Sequence, residues 1–77
     1  MTEVVFPSLS KERPDAEGVV STWFVREGDQ VDAGQLLAEV QVDKVAVEVE
    51  ASQAGVVHLL VKEDEAVNQG TPIARIG

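Results

Sequence analysis

Two stretches of this sequence match each other without a gap, and this repeat constrains the fold more than any other feature of the chain. Residues 25–40 align with residues 61–76 at a shift of 36, and Val, Glu, Val, Gly and Ala recur at equivalent positions. Upstream, Gly18-Val19-Val20 matches Gly55-Val56-Val57 at a shift of 37. The second half is therefore one residue shorter between Gly55 and Val61 than the first half is between Gly18 and Val25. We expect that the second half lacks a β-bulge that the first half has. Two similar halves predict two supersecondary units related by a pseudo-two-fold axis.

Strand patterns fill both halves. Short Val-rich runs lie between Gly, Pro, Asp and Asn residues, and no segment carries an apolar stripe of helical period over three turns. The predicted strands cover residues 2–6, 18–25, 36–42, 45–50, 55–62 and 72–76, with short extended pieces at 30–32 and 66–68. The polar segment 8–17 is predicted to be a surface loop. We therefore expect an all-β domain in which two small antiparallel sheets form a flattened barrel or sandwich.

Length and charge narrow the class of function. A chain of 77 residues is expected to form one domain, residues 1–77, with a small core, which favours a module over a complete enzyme. The net charge of −8 argues against binding to nucleic acid or to an anionic membrane. The chain has no cysteine, and its acidic residues do not follow a calcium-loop spacing. His58, the only histidine, is expected to be a plain strand residue, so we predict no catalytic and no metal-binding residue.

The centre of the chain predicts a hairpin with a lysine at its tip. A two-residue turn at Asp43-Lys44 aligns apolar residues on one face, in the pairs Val42–Val45, Val40–Val47 and Ala38–Val49. A slip of one residue would turn these side chains to the other face, so the register is well specified. Asn-Gly or Asp-Gly would suit such a turn better than Asp-Lys, because both central residues of the favoured turn have positive φ. From the turn alone, an ordinary solvated lysine is the simpler interpretation and a functional lysine is the alternative.

The segment from Glu39 to Val49 resembles the attachment region of lipoyl domains, which occur in the acyltransferase components of 2-oxo acid dehydrogenase complexes. The hallmark of these domains is an Asp-Lys pair at a central hairpin tip, followed by Ala or Val and an alternating strand, as in Asp43-Lys44-Val45. The resemblance covers nearly the whole chain, at Gly18-Val19-Val20, Gly28-Asp29, Leu37–Val40, Ala54–Val57, Gly70 and Ile73–Ile76. Asp64-Glu65 differs from the Gly-Asp that the family usually has there.

The resemblance implies that Lys44 carries lipoate as an amide and that the domain is a swinging-arm carrier without catalytic activity of its own. The implied partners are a lipoate ligase or transferase, a thiamine-diphosphate 2-oxo acid decarboxylase, an acyltransferase core and dihydrolipoyl dehydrogenase. Asp43 is expected to orient the turn through an Asx-type bond to the backbone and is a candidate recognition residue. Val42 and Val45 are expected to pack at the end of the core rather than contact partners.

The resemblance also gives expectations about context. The chain is expected to be an excised part of a longer acyltransferase chain, monomeric when isolated, from a bacterial cytoplasm or a mitochondrial matrix. Two alternatives stay open. A biotin carrier domain has a similar fold but flanks its lysine with Met on both sides, whereas the neighbours here are Asp43 and Val45. An unmodified barrel acting as an adaptor is the alternative of a different class, which failure of Lys44 to accept lipoate would favour.

Overall fold

The computed structural model describes residues 1–77 and consists of strands joined by turns and loops. The eight strands are β1 (Thr2–Val5), β2 (Glu17–Trp23), β3 (Gln30–Val31), β4 (Leu36–Val42), β5 (Val45–Glu50), β6 (Gly55–Leu59), β7 (Ala66–Asn68) and β8 (Pro72–Ile76). They form two antiparallel four-stranded sheets, in the orders β1-β8-β6-β3 and β5-β4-β2-β7. No helix of the length and hydropathy that a membrane span needs is present. The predicted all-β fold of two small antiparallel sheets is confirmed.

The two sheets are equivalent strand by strand. β5, β4, β2 and β7 of one sheet correspond to β1, β8, β6 and β3 of the other, so the predicted pseudo-two-fold relation is present in the order of the strands. Loop contacts repeat as well. The amide of Phe24 donates to the carbonyl of Leu37 at 2.8 Å, and the equivalent amide of Leu60 donates to Ile73 at 2.9 Å. The repeat in the sequence is therefore a repeat in backbone hydrogen bonding.

The one-residue difference between the halves is a β-bulge. In the pairing of β2 with β4, Val20 lies opposite Val40 and Thr22 opposite Glu39, which leaves Ser21 as the extra residue. The equivalent pairing of β6 with β8 runs without a break. The hydroxyl of Ser21 donates to the backbone and side-chain oxygens of Glu39, at 3.1 and 3.2 Å, which occupies the interrupted position of the ladder. The shorter second half lacks this bulge, as the sequence predicted.

One apolar core lies between the sheets. All of its buried residues are apolar, and the largest that are fully enclosed are Phe6, Leu37, Ile73 and Ile76. They come from both halves because alternate side chains of each strand point inward. Phe6 matters for the site, since it follows β1 and its ring packs beside Gly18 and Val42. β1 therefore runs from the chain termini at one end of the barrel to the β4–β5 turn at the other.

Four predicted strands run past their observed ends. Those predicted at 2–6 and 30–32 end one residue earlier, at Val5 and Val31, and the other two differ more. The strand predicted at 18–25 is Glu17–Trp23, and the one predicted at 55–62 is Gly55–Leu59. The second ends early because a tight turn begins at Lys62, whose amide donates to Glu65 Oε1 at 3.1 Å while the amide of Glu65 donates back to its carbonyl at 3.2 Å. The apolar residues of the sequence continue as far as Val61, so the sequence pattern did not indicate that the strand ends at Leu59.

Candidate functional site: the β4–β5 hairpin tip

The β4–β5 hairpin has the register that the sequence predicted. Its opposed residues are Val42 with Val45, Val40 with Val47, Ala38 with Val49 and Glu39 with Glu48. The strands close through the two-residue turn Asp43-Lys44. Alternation of apolar residues on one face holds this register, because any slip would expose Val40 and Val42, which are buried.

The turn is strained at Asp43 and is braced by two other side chains. Asp43 has a positive φ of 52°, a conformation that Asp tolerates better than most residues. Gln41 Nε2 donates to the carbonyl oxygen of Asp43 at 3.0 Å. The Asp43 carboxylate accepts from Arg13 Nη1 at 3.1 Å, not from the backbone, so the expected Asx-type bond is wrong. Both groups of this ion pair are more than half exposed, so solvent weakens it and its main effect is on geometry.

Lys44 is exposed at the tip, and none of the three ion pairs of the molecule includes it. Its side chain also makes no hydrogen bond with another residue. The lysine therefore presents a primary amine that an enzyme can reach without breaking a contact of the fold. Chemically, such an amine can be acylated, which would remove its positive charge.

The two valines beside the turn differ. Val42 is 1% exposed and packs at the end of the core, as predicted. Val45 is 47% exposed, so the expectation that it also packs in the core is wrong. The physical reason is its place, because β5 is the edge strand of its sheet and Val45 is its first residue after the turn. Val45 instead lines a surface groove next to Lys44.

This groove, of about 440 Å³, lies between the hairpin tip and the loop that joins β1 to β2. Its walls are Ser8, Leu9, Ser10, Lys11 and Glu12 of the loop and Val42, Asp43 and Val45 of the hairpin. Arg13, Gln41 and Gln69 shape the surroundings of the site and were missed from the sequence. The contacts of Arg13 and Gln69 join residues that lie far apart in the sequence, and no local pattern signals them. Gln41 lies two residues before Asp43, so only the partner of its side chain was missed.

Two other contacts between titratable groups lie away from the tip in sequence, and one of them joins Arg75 Nη2 to Glu3 Oε2 at 3.6 Å. His58 Nδ1 lies 2.7 Å from Glu27 Oε2, and the amide of Leu59 donates to Glu27 Oε1 at 2.7 Å. The bond from Leu59 and then the bond from His58 hold the pKa of Glu27 below its ordinary value of 4.5. The structure brings no three His, Cys, Asp or Glu residues together in a way that could hold a metal ion.

Comparison with known proteins decides the family. The sequence profile of the biotin/lipoyl family, described as "Biotin-requiring enzyme", matches residues 2–76. The chain belongs to this biotin/lipoyl domain family. Relatives of this biotin/lipoyl domain include the dihydrolipoyllysine-residue succinyltransferase component of the 2-oxoglutarate dehydrogenase complex of Staphylococcus saprophyticus, 40% identical over 100% of this chain. The pyruvate dehydrogenase E1 component subunit beta of Rhizobium meliloti is 39% identical over 94% of this chain.

The domain spans only 18% and 16% of the length of these two relatives. A solved structure agrees over the full length. The lipoyl domain of the 2-oxoglutarate dehydrogenase complex of Azotobacter vinelandii superimposes with a TM-score of 0.81 at 26% identity, covering 100% of this chain and 96% of that one. The predicted resemblance to lipoyl domains is confirmed.

Proposed function

We propose that this domain carries lipoate on Lys44, through an amide bond, within a 2-oxo acid dehydrogenase complex. The observation that carries the proposal is the position of Lys44, which is exposed at a hairpin tip at the end of the barrel opposite both chain termini. A side chain placed there stands clear of the body of the domain. It can enter the active site of another protein while the rest of a longer chain extends from the other end.

The residues around Lys44 suit an attached arm. The amine is free of ion pairs, and the turn is braced by Gln41 and Arg13. A groove lined by both neighbours of the lysine, Asp43 and Val45, lies beside the tip. When bound, a lipoyl group would supply a dithiolane that accepts acyl groups and electrons. The contribution of the chain itself is tethering, since a rigid barrel holds the attachment point and gives the arm a high effective concentration at each partner.

Lipoate is favoured over biotin as the attached group. The family includes both kinds of carrier, but the relatives named above belong to 2-oxo acid dehydrogenase complexes, and one of them is named for its dihydrolipoyllysine residue. Lys44 is flanked by Asp43 and Val45, whereas the lysine of a biotin carrier domain is flanked by Met on both sides. Both features support the same choice.

The partners proposed are those of such a complex. They are a lipoate ligase or transferase, a thiamine-diphosphate decarboxylase, an acyltransferase core in a separate domain and dihydrolipoyl dehydrogenase, in a bacterial cytoplasm or a mitochondrial matrix. The net charge of −8 would favour partners with a basic docking surface. Asp43, beside the acceptor lysine, is proposed to be read by at least one of them.

The test is the intact mass of the domain, with peptide mapping, after incubation with lipoate, ATP and a lipoate ligase. We expect one lipoyl group on Lys44 and none on Lys44→Arg. Lys62→Arg is the matched control, because Lys62 is also an exposed lysine at the start of a turn and should leave the modification intact. The same experiment with biotin and a biotin ligase should leave the mass unchanged. Absence of any lipoyl group on a folded sample would contradict the proposal and favour an unmodified adaptor.

A further inference from the structure

One side chain, that of Gln69 in the turn between β7 and β8, hydrogen-bonds to three backbone groups of the loop from Ser8 to Ala16. Leu9 and Ala16 of the same loop also pack against the core. Gln69 Oε1 accepts from the amide of Ser10 at 2.9 Å. Its Nε2 donates to the carbonyl of Arg13 at 3.1 Å and to that of Ala16 at 3.0 Å. A side-chain amide suits this position, because it supplies one acceptor and two donors at the same end of one side chain.

One of these bonds involves the residue that reaches the hairpin tip. Gln69 holds the carbonyl of Arg13, and the guanidinium of Arg13 contacts the Asp43 carboxylate at 3.1 Å. The same loop segment is tightened locally by the amide of Arg13, which donates to Ser10 Oγ at 3.2 Å, and by the amide of Ala16, which donates to the carbonyl of Arg13 at 2.9 Å. A continuous set of contacts therefore leads from Gln69 to the residue before Lys44.

The equivalent place in the other half has nothing of this kind. At the shift of 36, Gln69 corresponds to Ala33, which has no side chain that can form hydrogen bonds. The segment between β5 and β6 that corresponds to the loop is only Ala51–Ala54. These contacts are thus absent from the repeated framework and are confined to the end of the barrel that bears the lysine.

We propose that Gln69 is a positioning residue for the acceptor tip, acting through the loop and Arg13 on Asp43. The inference rests on the proposed function, because it concerns how Lys44 is offered to the enzyme that modifies it. Gln69 does not contact Lys44. It fixes the backbone of Arg13 so that the guanidinium reaches the strained turn, and it holds the loop wall of the groove in place beside the lysine.

The experiment compares Gln69→Ala with Gln53→Ala in the 77-residue chain. Gln53 is a matched control, since it also makes a side-chain hydrogen bond, from Nε2 to the carbonyl of Ile76 at 3.3 Å, but at the opposite end. We expect Gln69→Ala to speed amide hydrogen exchange at Ser10 about tenfold and to lower kcat/KM for lipoylation by the ligase about threefold to tenfold. Gln53→Ala should change neither quantity.

Two further variants test the route. Gln69→Glu keeps the acceptor for Ser10 but loses both donors, so it should not restore ligase kinetics. Arg13→Ala should lower kcat/KM by itself and cause no further loss when added to Gln69→Ala, because both act through one set of contacts. Additive losses would overturn the proposal. So would an equal loss in Gln53→Ala, or faster exchange at Ser10 in Gln69→Ala with unchanged lipoylation.

A measurement without any ligase separates the positioning role of Gln69 from the carrier function of the domain. Backbone order parameters at Asp43 and Lys44, measured without any ligase, should fall in Gln69→Ala and stay unchanged in Gln53→Ala. If the wild-type domain takes no lipoate, the carrier proposal fails and the order parameters still decide the positioning role. If the wild type is lipoylated and Gln69→Ala matches it in both kinetics and order parameters, only the positioning role fails.

Discussion

The two ends of this barrel are built from equivalent strands but are finished differently. At one end β4 and β5 are joined by the turn Asp43-Lys44, beside the long loop between β1 and β2. At the other end β8 and β1 pair in the same way, but the chain termini stand in place of a turn, and the flanking segment is Ala51–Ala54. The sheet framework therefore fixes where each tip lies, whereas the connections decide which side chains are exposed there.

The framework itself is reciprocal between the halves. Glu27 of the first half accepts from the amide of Leu59 at 2.7 Å, and its counterpart Glu63 accepts from the amide of Trp23 at 2.7 Å. The amide of Gly28 donates to Val57 at 2.8 Å, and that of Asp64 donates to Val20 at 2.9 Å. Each half therefore satisfies backbone groups of the other, so neither is expected to fold alone.

The largest effect should come from the glycine under the lysine-bearing end. A Cβ on Gly18 would lie 2.7 Å from the carbonyl oxygen of Gln41 and 2.7 Å from Val42 Cγ2, and it would also overlap the ring of Phe6. The carbonyl belongs to the backbone of β4, and the side chains of Phe6 and Val42 are buried in the core, so little room is left for any of them to move. We expect Gly18→Ala to destabilise the domain by about 3 kcal/mol in urea unfolding.

Gly55 is the counterpart of Gly18 in the other half of the molecule. A Cβ on Gly55 would lie 2.9 Å from the side-chain atom Ile76 Cγ2, and its nearest backbone neighbour, the nitrogen of Gly77, would be 3.3 Å away. The positive φ of 155° adds backbone strain for a residue with a side chain. We expect Gly55→Ala to cost about 1–2 kcal/mol, less than Gly18→Ala. A larger loss in Gly55→Ala would show that backbone conformation, not the packing at the lysine-bearing end, limits this fold.

A smaller effect is expected where the halves differ in one turn residue. Gly28 has a φ of 86°, and the equivalent Asp64 has a φ of 65°. Because a side chain disfavours this conformation, Asp64→Gly should stabilise the domain by about 0.5–1 kcal/mol, and Gly28→Asp should destabilise it by about 1 kcal/mol. Thermal melts of both variants and of the double variant, which should match the wild type, check the equivalence. Stabilisation by Gly28→Asp would contradict it.

The framework could be predicted from the sequence because it depends on periodic patterns. Short apolar runs between turn residues predicted the strands at 36–42, 45–50, 66–68 and 72–76, and alternation of Val residues predicted the hairpin register. All of these are confirmed. The 16-position repeat predicted the two-fold relation, and the shift from 37 to 36 predicted the missing bulge. Each of these signals is local or a comparison of the chain with itself, so one sequence contains it.

The surroundings of the lysine could be predicted only in part. The position of Lys44 at the tip follows from the hairpin pattern, and its modification stays a prediction. Val45 was placed in the core because it alternates with Val47 and Val49, but alternation does not say where a core ends along an edge strand. The contacts from Gln69 through Arg13 to Asp43 join residues separated by 56 and 30 positions. Long-range polar contacts of this kind produce no periodic pattern in the sequence.

The smallest expected effect concerns acid pH and the two glutamates that fasten the halves. Glu27 differs from Glu63 in also contacting a histidine, His58, at 2.7 Å. Because bonds from Leu59 and His58 lower the pKa of Glu27 below 4.5, its carboxylate stabilises the folded state above that pH, and this contribution is lost as the pH falls through the lowered pKa. Urea unfolding of wild type and Glu27→Gln from pH 7 to pH 3 should therefore show a difference that is constant near neutrality and shrinks below about pH 4.5. His58→Ala should reduce part of that difference, since it removes the second of the two bonds. A gap between wild type and Glu27→Gln that stays constant down to pH 3 would mean that Glu27 fastens the halves through the geometry of its bonds and not through its charge.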